Sequence, residues 1–376
     1  MAKRPARQPA AETPEAPPSH APPLALRDLL GQAHAVELLR AAMRSGRVHH
    51  AWVFHGPEGV GKFTTALAFA AAVLDPTTNP DDDRTPDPES HVRRLLAAAA
   101  HPDLHVVNKE LTPFSREASV RGQKQRTIPF GIAEEFLVEP ATRTRNLHEP
   151  SLVAKVFIVD ESHLLGRDAQ NLLLNTLEEP PEGTVIILVT PAEEELLPTI
   201  RSRCQRIPFL PLADADMREW LRRGGAAIDA KHEAWALRFA AGSPGVLKRV
   251  IEGNLTAWHE ALAPMLADAD RGKFDLAIGA TMAKLVDERA AAMVARNPLA
   301  SKEAANVAAA ADMLRLVADH HHAAMRGSRR PDVRARAVEL VAEAERQIER
   351  NVPLAFIFEN LAAQLVDMAS RAVATR

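Results

Sequence analysis

Gly56-Pro-Glu-Gly-Val-Gly-Lys62 is the stretch that decides how the first half of the chain folds. Its spacing is that of a G-x-x-x-x-G-K phosphate loop. Glycines let the backbone curl so that successive N–H groups turn inward, toward phosphate oxygens. A helix that follows adds the positive potential of its N-terminus. The flanks agree with this. Ala51-Trp-Val-Phe-His55 reads as a buried strand, and 63–74 reads as an apolar helix. Gly56, Gly59, Gly61 and Lys62 are therefore candidate nucleotide ligands, with Lys62 reaching the β- and γ-phosphates. The plain alternative is a glycine-rich strand-to-helix turn without a ligand.

The next position normally carries Ser or Thr, whose hydroxyl binds magnesium. Phe63 stands there and offers no oxygen. Thr64 follows, rotated by about 100° around the helix, and is a poor substitute. ATP is expected to bind weakly if at all, with no metal site of its own.

A second motif, Val156-Phe-Ile-Val-Asp160-Glu161, is an apolar strand ending in two acids. In a phosphate-loop enzyme the Asp holds the magnesium shell, and the Glu orients or activates the attacking water. Two solvated acids at a strand end are the alternative, weakened by the presence of Lys62. Thr190 ends a further strand candidate, 184–190. It is either a γ-phosphate or water contact or simply a β-branched strand residue.

Further strands are expected at 104–107, 155–160 and 206–209, and helices at 91–100 and 168–179. Strands alternating with helices imply a parallel sheet covered on both faces. Residues 75–90 hold six acids and four prolines and read as a loop; 115–126 holds four basic residues and one acid and reads as a mobile loop. After Pro211 the strand signal ends. Helices are expected at 214–223, 230–240 and 245–252, then a longer helical part. There Val333, Ala337, Leu340, Val341, Ala344 and Ile348 mark one helix face, and a last helix runs over 354–368. Residues 1–23, with seven prolines and six alanines, read as a disordered tail.

Composition narrows the function classes. At roughly 150 residues per domain, 376 residues imply two or three domains. No run of 18 apolar residues spans a membrane, and the start lacks an apolar signal core. The single cysteine, Cys204, excludes an internal disulfide and a four-thiolate zinc site. A reducing, cytoplasmic setting fits. A net charge of −3, with no tyrosine and 4% aromatics, argues against a uniformly basic nucleic-acid coat and against base-stacking platforms.

Leu196-Leu-Pro-Thr-Ile-Arg201-Ser-Arg203-Cys204 follows the 184–190 strand. Read from its residues, Arg203 is a surface arginine or a guanidinium that stabilises charge at a neighbouring subunit's γ-phosphate. Together with Asp160 to Leu174 and Leu177-Glu-Glu-Pro-Pro181, this run resembles the AAA+ subunits of the bacterial replication clamp loader. His50-Ala51, Gly242-Ser-Pro-Gly245 and Arg350-Asn-Val-Pro-Leu-Ala355 are most similar to the delta prime branch of DNA polymerase III subunits. The resemblance spans about 26–366.

That resemblance implies a fold class of α/β then all-α. An AAA+ phosphate-loop parallel sheet would occupy 24–211, a three-helix lid 212–254 and a helical collar domain 255–376. It implies a place in a five-subunit ring with tau/gamma and delta subunits, which uses ATP to open the sliding clamp and set it on primed DNA. Arg203 would act as a trans arginine finger, and the chain's own ATPase, within a DNA-directed DNA polymerase holoenzyme, would be weak or absent. Asp160 and Glu161 would be a degenerate acid pair. Many relatives carry four zinc-binding cysteines where this chain has none, so no zinc is expected. Active relatives place a lid arginine where Gly245 stands; Lys248 and Arg249, one turn on, are partial substitutes. The competing reading is an ATP-hydrolysing motor subunit of the tau/gamma kind. A third, a generic AAA+ chaperone, requires the Ser-Arg-Cys run to be accidental.

Weaker signals get plain readings. His320-His-His322 points in different directions on a helix and reads as a solvated face. Arg116, Arg121, Lys124 and Arg126 are a solvated loop or a phosphate contact. Cys204 is a packed thiol, and Trp52, Trp220, Trp235 and Trp258 are packing residues.

Overall fold

The structure, a computed structural model, describes residues 20–79, 87, 89–121, 123, 126–146, 151–224, 228–273, 275, 277–296, 301–325, 330–350 and 352–374. Most of the tail expected at 1–23 lies outside the described residues, and so does Lys124. The chain divides into two units. One takes the described residues up to Pro57 together with Lys62–Leu210; the other takes Glu58–Gly61 and the described residues from Pro211 onward.

In the first unit, helix α1 (Ala33–Arg44) buries Val36, Leu39 and Met43 at helical spacing and is followed by β1 (Ala51–His55). Then come α2 (Lys62–Leu74), α3 (His91–Ala97), β2 (Leu104–Val107), β3 (Lys155–Val159), α4 (Arg167–Glu178), β4 (Thr184–Thr190) and β5 (Gln205–Pro208). The strands form one sheet in the order β2-β3-β4-β1-β5, and every pairing is parallel. Every residue of β3 and β4 is buried. That is why these strands read as unbroken apolar runs: a parallel sheet is covered on both faces. Phe157, Ile186 and Leu188 pack with Leu173 and Leu177 of α4 and with Ile132 and Leu137. Trp52 meets Phe69 of α2 edge to face at 5.7 Å.

The register puts His55 beside Thr190 and Val159 beside Leu188. The ends of β1, β3 and β4 therefore share the carboxyl edge of the sheet. In open α/β sheets that edge is where ligands are bound.

Three expectations need correction here. Helix α3 stops at Ala97 rather than at 100, and Ala99 takes a left-handed φ of 52°. Within the stretch read as a mobile loop, 115–121 is held in place. Ala118–Arg121 forms a helical turn with Val120 buried, Ser115 Oγ donates to Glu135 at 3.0 Å, and Arg116 pairs with Glu135 and Glu139 at 3.0 and 2.6 Å. Third, the sequence reading assigns nothing to 127–154, yet 130–142 is helical throughout, with a π turn at Glu134–Val138. Its C-terminal carbonyls are gathered by Lys155, a lysine buried in β3. Its Nζ donates to Pro140 O at 2.9 Å, Ala141 O at 2.7 Å and Arg143 O. A cation at that end is also favoured by the helix dipole.

The second unit is helical. It contains α5 (Asp214–Gly224), α6 (Ala230–Ala240), α7 (Pro244–Glu252), α8 (Leu255–Ala269), α9 (Ala277–Arg296), α10 (Lys302–Met325), α11 (Pro331–Glu349) and α12 (Leu354–Ala374). Helix α7 has a conventional start: the Ser243 side chain accepts from Val246 N, and Pro244 sits in the first turn. Helices α9 to α12 close on one another, α9 packing on α10 and α12, and α11 on α10 and α12. In α11, Ala337, Leu340, Val341, Ala344 and Ile348 are buried as expected, and α12 runs past Met368.

The histidine run is a further correction. His321 is buried and His320 lies 2.9 Å from Asp270, so the segment is not a solvated face. Arg334 donates to the Asp270 carboxylate and approaches His321 Nδ1 at 3.1 Å. Asp270 is shared by α8's end, α10 and α11 because a guanidinium neutralises it there.

Candidate nucleotide site and arginine

In the first unit the site starts at the end of β1. Gly56 has φ 135°, and a Cβ there would lie 2.1 Å from Phe209 O, so only glycine is accommodated. Lys62 opens α2 and is buried. Its Nζ donates to Gly56 O at 2.6 Å and Pro57 O at 2.5 Å, so the loop's own carbonyls receive the ammonium. Phe63 is half-buried, and Thr64 lies on the exposed side of α2.

At the end of β3, Asp160 Oδ1 accepts from the Glu161 N–H at 2.9 Å. Burial, with the neighbouring Glu161 second, pushes the Asp160 carboxyl up to about 6, while Lys62 and Lys109 pull it the other way. Glu161 takes a left-handed conformation, φ 52° and ψ 42°, which is sparsely populated for a residue with a side chain and typical of functional turns. Its Oε1 lies 2.8 Å from Lys109 Nζ. Thr190 is fully buried, and its Oγ1 accepts from Ala192 N at 3.0 Å.

The sequence reading missed Lys109, His55 and Glu193. Lys109 follows β2 by two residues, so the parallel-sheet rule was its available signal. His55 faces Glu193 at 3.8 Å, and burial lowers its pKa. Arg206 holds Glu193 through two guanidinium nitrogens, one at 2.9 Å. These residues do not fit a magnesium nucleotide. Position 63 has no oxygen ligand, and Glu161 is held by Lys109.

Gly59 and Gly61, with φ 74° and 103°, belong to the helical unit. There Ser243 Oγ donates to Glu58 O at 2.8 Å, and the Gly245 N–H donates to Gly59 O at 2.9 Å. Arg249 is held by Glu58 at 2.7 Å and Asp312 at 3.2 Å. Lys248 pairs along its own helix with Glu252 at 3.7 Å.

Arg203 lies in the first unit, just before β5. Its guanidinium donates to Thr199 O at 2.9 Å and pairs with Glu178 at 2.6 Å, and its side chain is 37% exposed. Burial pushes the adjacent Cys204 thiol up to about 12, which makes it unreactive.

Residues 31–213 match the family model described as DNA polymerase III, delta subunit. The gamma/tau subunit of DNA polymerase III from Mycobacterium tuberculosis H37Rv is 30% identical over 61% of this chain and 38% of its own length. The tau subunit from Escherichia coli K12 is 29% identical over 72% of this chain, again 38% of its own length. A solved gamma subunit-related protein from Thermotoga maritima overlaps 88% of this chain and 99% of its own at 16% identity and TM-score 0.43. The chain thus spans about two-fifths of the length of these curated relatives. No helix among the described residues is long and apolar enough to cross a membrane. The matched stretch contains the whole parallel sheet and the acid pair, and over it the chain is similar to the clamp-loader AAA+ subunits of DNA polymerase III.

Proposed function

We propose that this chain is the delta prime-type subunit of a DNA polymerase III clamp loader, with little or no ATPase of its own. Residues 24–211 form its AAA+ core, 212–254 a lid and 255–376 a collar. It assembles with tau/gamma and delta subunits, and through them it helps place a sliding clamp on primed DNA in the cytoplasm. Arg203 serves the ATP site of a neighbouring tau/gamma subunit.

One observation carries this reading. A phosphate loop with its glycines and Lys62 in place is followed by Phe63, which removes the oxygen that magnesium requires. Arg203 is consistent with work done elsewhere: it is partly exposed and held by Glu178. Guanidinium fingers of this kind contribute about 10³–10⁵ in rate where they act. Arg203→Ala, assembled with the other subunits, is expected to cut DNA- and clamp-stimulated hydrolysis at least tenfold while leaving assembly intact. Unchanged hydrolysis defeats the trans role.

A motor subunit of the gamma/tau kind is the second reading. It is favoured by the retained Asp160 and Glu161 and by the names of the relatives. Titrating the isolated chain with ATP, with and without magnesium, separates the two. Magnesium-dependent tight binding with turnover establishes the motor.

A further inference from the structure

A phosphate loop in a nucleotide-free chain has glycine-rich backbone and unmet N–H donors, and it ordinarily gains order from the phosphate it cradles. Here the tip of the loop, Glu58–Gly61, is already engaged by protein groups. All of them belong to the helical unit. Three contacts converge on two residues. The Glu58 carbonyl accepts from Ser243 Oγ at 2.8 Å. The Gly59 carbonyl accepts from the Gly245 N–H at 2.9 Å. The Glu58 carboxylate takes Arg249 in a fork, Nη1 to Oε1 at 2.7 Å and Nη2 to Oε2 at 3.4 Å.

The arginine does not act alone. Its Nε donates to the buried Asp312 at 3.2 Å, and Asp312 in turn receives Arg289 at 2.7 Å. Four alternating charges, Glu58, Arg249, Asp312 and Arg289, run from the loop tip into α7, α10 and α9. The sequence makes this approach possible at one position. A Cβ on Gly245 would lie 2.7 Å from Gly59 Cα, a separation real Cβ atoms essentially never show, and the neighbour there is backbone that cannot swing aside. The same test from the other side gives Gly59 a clash with Ser243 Oγ at 2.5 Å. Both glycines are needed for the two backbones to meet.

We propose that the loop tip is tethered by an internal anion in place of phosphate. The Glu58 carboxylate occupies Arg249, and the Gly59–Gly245 backbone contact fixes the tip, so the tip is ordered without any nucleotide. This deepens the reading above, on which it rests for its purpose, but its test is separate.

Amide hydrogen exchange on the full chain, without nucleotide, measures the tether directly. Wild-type amides of Val60–Phe63 are expected to be protected. Gly245→Ala, which keeps a good helix former in the first turn of α7, is expected to speed their exchange about tenfold, with α10 and α12 unchanged. Glu58→Ala alters a residue 63% exposed and leaves folding intact; it is expected to speed exchange about threefold. Fast exchange at the tip in the wild type, or no change in both variants, overturns the tether. Adding magnesium ATP to the wild type tests the other reading: a large further slowing overturns weak nucleotide binding, while the tether still stands or falls with the two variants.

Discussion

At the scale of single residues, the candidate nucleotide site is marked by one missing oxygen and one added cation. On the proposed reading, Phe63 takes the place of a magnesium ligand, and Lys109 holds the Glu161 carboxylate. The two act on different steps, so they should separate by experiment. Phe63→Thr is expected to raise magnesium-dependent ATP affinity at least tenfold in a fluorescence titration, with turnover still near zero. Adding Lys109→Met is expected to free Glu161 and bring measurable hydrolysis. If the double variant binds no better than the wild type, the tip contacts or Asp160 limit binding instead. The Lys109–Glu161 pair is part-exposed, so its loss should alter stability by only about 0.5 kcal/mol. Gly56 is different in kind. Any side chain there meets Phe209 O, so Gly56→Ala is expected to destabilise the sheet unit by about 2–4 kcal/mol in chemical denaturation.

At the scale of elements, the legible parts were those with one clear period. Strands β1, β3 and β4 are buried on both faces, so unbroken apolar runs of four or five residues marked them. Helix α11 carried an apolar stripe at helical spacing, and Pro180-Pro181 marked the end of α4. The 130–142 segment had none of this. Gly131 and Pro140 dilute its helical propensity, and the π turn at Glu134–Val138 shifts the period in mid-helix, so no single stripe survives. Its end is stabilised from far away in sequence, by Lys155. A strand lysine with an apolar neighbour on either side gives no hint of that role. The prediction at this scale follows. Lys155→Met keeps the shape but leaves three carbonyls at a buried helix end without their donor. A cost of about 2–4 kcal/mol is expected, read as a lower urea midpoint, with exchange accelerated first in 137–143. Lys155→Arg should recover part of it if the carbonyls, rather than the packing, set the cost.

At the scale of the whole molecule, the site was half legible for a related reason. Lys62, Asp160 and Glu161 sit in short motifs, but Lys109 meets Glu161 across 52 residues of sequence, and Arg249 meets Glu58 across 191. Pairing at such distance is a product of topology, which spacing alone does not give. Topology also takes two histidines out of water, His105 partly in the sheet unit and His321 fully in the helical unit, with a shared consequence for acid stability. In the sheet unit His105 stacks on Phe157 at 4.5 Å, and burial lowers its pKa to about 4. In the helical unit burial lowers His321 to about 4 as well, beside Asp270, Arg334, His320 and His322. Both are depressed from an ordinary 6.5. The unfolded chain therefore binds protons that the folded chain refuses between about pH 6.5 and 4. The stability each contributes is complete above pH 6.5 and is lost as pH falls through that window, by about 2–3 kcal/mol per histidine. For domains whose net stability is about 5–15 kcal/mol, that is a large share. His105→Phe retains a ring against Phe157 and removes the titration. Measured by segment-resolved hydrogen exchange from pH 7 to 4.5, it is expected to flatten the pH dependence of β2 and β3. The steep loss across α10 and α11 should stay as in the wild type. An unchanged slope in β2 and β3 would show that another group sets the acid response of the sheet.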